Sequence, residues 1–117
     1  MARGKRRKQG GPHYPLEQVQ ALARLSLIHY TRKALDEATA LLPGSIALPA
    51  AAIRQTLLAL RAENWRFAEE NDKGWADVYR ILRYNRLIWL KLKVERRTAK
   101  DAVILLSFHD YDDDVPV

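Results

Sequence analysis

Residues 75–108 read WADVYRILRYNRLIWLKLKVERRTAKDAVILLSF, and this stretch decides the fold. Three apolar runs lie within it, residues 75–82, 87–94 and 102–108, each of strand length and rich in Val, Ile, Leu, Tyr and Trp. The connections carry Arg83, Tyr84, Asn85 and Arg86, then residues 95–101, and both are too short for a parallel crossover. A three-stranded antiparallel meander is therefore expected. In the middle run, Ile88, Leu90, Leu92 and Val94 alternate with Leu87, Trp89, Lys91 and Lys93. The wholly apolar set is expected to face a core. The other, with a tryptophan and two lysines, is expected to form a working face.

Upstream the periodicity changes to that of helices. Leu16, Val19, Gln20, Ala23 and Leu27 predict a helix over residues 16–24, entered through Pro12 and Pro15, with Glu17 facing the positive end of the helix dipole. Residues 27–30 read as a short extended link. Thr31 is an N-cap for a second helix from Arg32 to Leu41 or Leu42, stopped by Pro43 and Gly44. An alanine-rich third helix starts at Pro49 and fades near Glu63, burying Ile53, Thr56, Leu57 and Leu60 and turning Arg54 and Arg61 to solvent. Trp65 and Phe67, two apart, are expected on one face of an extended segment with Arg66 on the other, followed by an exposed loop over residues 69–74. Helices followed by strands predict an α+β fold, with N-terminal helices packed on a small antiparallel sheet.

A chain of 117 residues, 48% of them hydrophobic, supports one domain. It is expected over residues 12–109, between a basic disordered leader (1–11) and an acidic tail (110–117). The absence of cysteine excludes disulfides and a thiolate metal site. His13, His29 and His109 are scattered, so neither a metal nor another cofactor is expected. No apolar run reaches bilayer-spanning length, which points to a cytoplasmic protein without membrane contact. The net charge is +6, with Arg3, Lys5, Arg6, Arg7 and Lys8 at one end and Asp110, Asp112, Asp113 and Asp114 at the other. The body between them stays basic, and nucleic acid is the first polyanion to consider. The leader itself reads as a solubilising tail or a nucleic-acid-binding arm.

The segments PHYPLEQVQAL, YTRKALDEA, WADVYR, IWLKLKV and AVILLSF occur in an order and spacing that resembles the MqsR family, over about residues 13–109. WADVYR followed by a hairpin is the most specific part. Members of this family are bacterial toxins of toxin–antitoxin systems, similar in fold to the RelE superfamily. The resemblance implies metal-independent cleavage of mRNA and a cognate antitoxin protein as partner. It also implies a site built from a lysine before the sheet, a glutamine after the first-strand tryptophan and an aromatic hydroxyl on the next strand. The matching positions here hold Arg66, Ala76 and Trp89, so none keeps the family's residue.

Those departures redirect the search for catalytic groups. Arg66 can clamp a phosphate but gives up no proton at ordinary pH, and an indole is neither acid nor base. Arg66, His109 and Tyr79 are the candidate catalytic residues. His109 is an imidazole at the end of the last strand, and reads either as a proton-transfer group or as a surface histidine. Trp89, Lys91, Lys93, Arg80, Arg83 and Arg86 are the candidate RNA-binding residues, combining a stacking platform with basic hairpin charges. Two other readings stand beside a toxin-like endoribonuclease: a catalytically altered RNA-binding or regulatory protein, and a basic protein-interaction module.

Overall fold

The computed structural model describes residues 5–42 and 48–110. In chain order the elements are β1 (Lys5–Arg7), α1 (Leu16–Arg24), β2 (Ile28–Tyr30), α2 (Arg32–Leu41) and α3 (Pro49–Ala59). A 3-10 turn (Ala62–Asn64) leads into β3 (Trp65–Asn71), β4 (Gly74–Arg83), β5 (Arg86–Arg97) and β6 (Lys100–Asp110). The expected meander is present as β4, β5 and β6, and it forms the centre of a six-stranded sheet ordered β1-β3-β4-β5-β6-β2. Among the described residues only the β2–β6 pair is parallel. The helices cover one face, giving an α+β fold with N-terminal helices on a largely antiparallel sheet.

Local chemistry explains these boundaries. Thr31 accepts a hydrogen bond from the Ala34 N–H at 3.1 Å and donates to the Leu106 carbonyl, so one hydroxyl both starts α2 and ties it to β6. The β4–β5 hairpin turns on Tyr84 and Asn85 at φ 54° and 60° between the paired Arg83 and Arg86, the left-handed pair that a two-residue turn requires. Helices α1 and α3 cap one another. The Gln20 amide donates to the carbonyls of Leu57, Leu58 and Leu60, while the Arg54 guanidinium donates to those of Ala23 and Arg24. This reciprocal capping ends α3 at Ala59 rather than near Glu63, and it corrects the expectation that Arg54 faces solvent.

The core lies between helices and sheet. Val19, Ala23, Ala34, Ala38, Ile53 and Leu57 pack from the helices against Tyr79, Ile88, Leu90, Leu92, Leu105 and Phe108, with Val94 partly buried beside them. The apolar face read from residues 87–94 is thus the core face.

Three expectations fail at the edges, each because a distant partner satisfies residues that look like loop. Lys5–Arg7 of the basic leader is not disordered but pairs antiparallel with β3, with Arg6 opposite Glu69 and Lys5 opposite Glu70. Residues 69–71 of the expected loop are likewise the end of β3, and the reversal tightens to Asp72 and Lys73, where the Asn71 carboxamide accepts the Lys73 N–H. Asp110 belongs to β6 and bonds Arg86 at 2.7 Å. The rest of the acidic run, and Pro43 and Gly44, lie outside the described residues.

Candidate functional site

Two bulges set what the uncovered face of the sheet presents. In β3 the register shifts between Trp65 and Phe67, leaving Arg66 as the extra residue. Trp65 therefore pairs with Tyr79 on the helix side while Phe67 pairs with Val78 on the open side. This separates the two aromatics that simple alternation would place together. In β6 the shift falls at Leu106, because Lys91 pairs with Ser107 and Leu92 with Leu105. Val103 and Leu105 face the helices before it, and after it Ser107 and His109 face outward beside Lys91 and Trp89. The bulge is what delivers His109 to the working face.

That face holds a cleft of about 250 Å³, lined by Arg6, Phe67, Glu69, Val78, Trp89, Lys91, Ser107 and His109, with Lys33 reaching in from α2. Glu37 of α2 closes the β6 side. Its Oε1 accepts the Phe108 N–H at 3.0 Å and its Oε2 lies 3.4 Å from His109 Nδ1. In the tautomer that donates Nδ1–H to this carboxylate, Nε2 is the ring nitrogen left to accept a proton. Lys33 Nζ is 3.7 Å from the same Glu37 oxygen.

Across the cleft, Glu69 bridges two strands, with Lys91 Nζ at 2.9 Å from one oxygen and Arg6 Nε at 3.3 Å from the other. The Arg6 guanidinium lies 4.4 Å above the Phe67 ring. Burial acts to raise the Glu69 pKa, but the Lys91 hydrogen bond and the charges of Lys91 and Arg6 outweigh it and hold the carboxyl below its ordinary value. Glu95 is lowered too, chiefly by a hydrogen bond from Lys93 at 2.6 Å. A carboxyl whose folded pKa is depressed contributes stability above its unfolded value, and that stability is lost as pH falls through the folded one. Thermal stability is therefore expected to decline below about pH 4.5, and to decline less steeply in Glu69→Gln; melting curves across that range check it.

The structure gathers Trp89, Lys91 and His109 from the predicted site residues and sends the others elsewhere. Arg80 pairs with Trp89 on the open face, its guanidinium 5.9 Å from the Trp89 ring centroid, but does not line the cleft. Lys93 shares the open face but is bound to Glu95, further along β5. Arg83 has the parity of Tyr79 and Ile81, and Arg86 that of Ile88, so both lie on the helix side of the hairpin. Arg83 lies over the Tyr84 ring and Arg86 pairs with Asp110.

Tyr79 is corrected outright as a catalytic candidate. Its side chain is fully buried on the core face, and burial followed by the charge of Asp77 pushes its phenol far up, so it offers no proton to the cleft. Arg66 is corrected as well. It occupies the bulge, donates to the Glu63 carbonyl at 3.0 Å, and is not among the cleft-lining residues. Phe67 and Glu69 take its place. Ala76, opposite Glu69 on the open face, adds no functional group.

Lys33, Glu37, Phe67, Glu69 and Ser107 join the site without having been read from the sequence as site residues, and Arg6 joins it from the leader that read as a solubilising tail or a nucleic-acid-binding arm. A basic leader and a polar helix face carry no signal of where they dock.

Among the described residues no group of three or more His, Asp or Glu could hold a metal ion, and no helix is long and apolar enough to cross a membrane. Among the described residues, three helices lie on one face of a largely antiparallel sheet whose open face carries an aromatic and basic cleft, an arrangement consistent with the RelE-like class to which the family match assigns it. Residues 11–110 match the family described as "Motility quorum-sensing regulator, toxin of MqsA", and the chain belongs to this MqsR toxin family. No curated protein matches the chain.

Proposed function

We propose that the cleft binds single-stranded RNA and cleaves it without a metal ion, as the mRNA-cleaving toxin of a toxin–antitoxin pair. The observation that carries this reading is the meeting of His109, oriented by Glu37, with Trp89 and Lys91 in one cleft. Trp89 supplies a ring for a base to stack on, and the ammonium groups of Lys91 and Lys33 attract the adjoining phosphate. His109 Nε2 takes the proton of a ribose 2′-hydroxyl, whose oxygen attacks the phosphorus as the bond to the 5′-oxygen breaks. The negative charge gathering on the phosphate is met by the cations around it. A proton from the imidazolium or a neighbouring ammonium returns to the leaving 5′-oxygen, so the products are a 2′,3′-cyclic phosphate and a 5′-hydroxyl. The family's description as the toxin of MqsA makes a cognate antitoxin protein the expected partner.

One observation favours a second reading. Ala76 and Trp89 stand where the family resemblance implies a glutamine and an aromatic hydroxyl, which suits a protein that binds RNA without cutting it. Incubating purified protein with messenger RNA in EDTA and mapping the ends separates the two. Cyclic-phosphate ends that accumulate with protein support the nuclease; tight binding with intact RNA supports the binding protein and ends the nuclease reading.

A further inference from the structure

We propose that the Glu69 carboxylate is a built-in stand-in for an RNA phosphate, seated between Arg6 of β1 and Lys91 of β5, which RNA must displace to occupy that part of the cleft. The inference rests on RNA binding in the cleft and adds a regulated phosphate seat to it. Glu69 engages the two cations through different oxygens, at 3.3 and 2.9 Å, and they come from strands on opposite sides of its own neighbourhood in the sheet. Guanidinium and ammonium groups donate to carboxylate and phosphate oxygens alike, so a seat built for one takes the other. All three residues line the same cleft as His109 and Trp89.

The seat depends on a segment outside the family match. Strand β1 precedes residues 11–110, yet it is held in register against β3. Arg7 fixes the chain that follows by donating to the carbonyls of Gln9 and Gly11 at 3.0 and 2.7 Å. Arg6, resting on Phe67, is therefore already placed before any ligand arrives. A carboxylate on a face offered to a polyanion repels it and keeps its cations occupied. Removing that charge while keeping the side-chain shape releases both cations.

The test is fluorescence anisotropy of a labelled single-stranded RNA with the full chain, across a salt series. Glu69→Gln is expected to bind about tenfold tighter, since a like charge no longer opposes the phosphate, with a salt slope steeper by about 0.7 for each added phosphate contact. The double variant Arg6→Ala with Glu69→Gln is expected to lose most of that gain. Unchanged or weaker binding by Glu69→Gln, while Lys91→Ala still lowers affinity, overturns the stand-in and leaves RNA in the cleft. No RNA binding by the unmodified chain overturns both.

If Glu69→Gln does not fold, the unmodified protein answers instead. Its Glu69 carboxyl carbon, followed by NMR, is expected to shift on RNA addition and to titrate closer to an ordinary carboxylate as its cations leave. A resonance unmoved at saturating RNA overturns the proposal.

Discussion

Replacing Asp77 with alanine is expected to destabilise the protein by about 3–5 kcal/mol, because several donors lose one shared charged acceptor. Asp77 is fully buried, and its carboxylate accepts the His13 N–H at 2.9 Å, the Tyr14 N–H at 2.8 Å and the Trp65 indole N–H at 3.1 Å. It thus pins the entry to α1 and the start of β3 to β4. Around it, the Tyr14 hydroxyl donates to the Trp75 carbonyl, and the His13 ring stacks on Trp75 at 5.0 Å between centroids. Asp77→Asn keeps the volume but turns an amide N–H towards a donor, so a loss of about 2–3 kcal/mol is expected. Urea unfolding gives both numbers, and hydrogen exchange at the His13 and Tyr14 amides tells whether the entry segment opens first. Variants within about 1 kcal/mol of the parent would mean that water replaces the carboxylate and that Asp77 anchors nothing. Because β1 reaches the sheet through this segment, the alanine variant is also expected to loosen Arg6 at the cleft.

The central sheet was legible because its residues advertise it. The alternation over residues 87–94 gives both faces of β5, and the short polar connection Arg83, Tyr84, Asn85 and Arg86 leaves the chain no choice but a hairpin, which the structure tightens to a turn on Tyr84 and Asn85. Thr31 and Pro49 mark helix starts by local chemistry, and both helices begin where those residues predict. What alternation could not supply was the pair of bulges. One extra residue at Arg66 and another at Leu106 invert the faces beyond them, moving Arg66 out of the site and His109 into it. The parity of residues 79–83 in β4 already contained the news that Tyr79 and Arg83 share the core side, once Ile81 is taken as buried. Strand β1 was hidden for a different reason. Its residues are all basic, and the partner strand that orders them, with Glu69 pairing Arg6, lies more than sixty residues away.

Replacing His109 with alanine is expected to reduce RNA cleavage by a factor of about 10²–10⁴, the range for loss of a positioned general acid–base, with RNA binding changed only a few-fold. The prediction follows from the division of labour in the cleft. On the proposed function Trp89 and Lys91 would hold the nucleotide, whereas His109 is the imidazole that the β6 bulge turns towards them. Glu37→Gln tests the orientation of that ring. Its amide oxygen can still accept the Phe108 N–H, so β6 stays in place, but the acceptor for His109 Nδ1 loses its charge. The rate is expected to fall by less than in His109→Ala, and RNA affinity to stay near that of the parent. Single-turnover cleavage of a labelled RNA, beside anisotropy measurements of binding, separates rate from affinity. A full rate in His109→Ala would move the chemistry to another group. Equal losses of rate and affinity would instead make His109 a binding residue, leaving Lys33 and Lys91 as the remaining ammonium groups from which a proton could come.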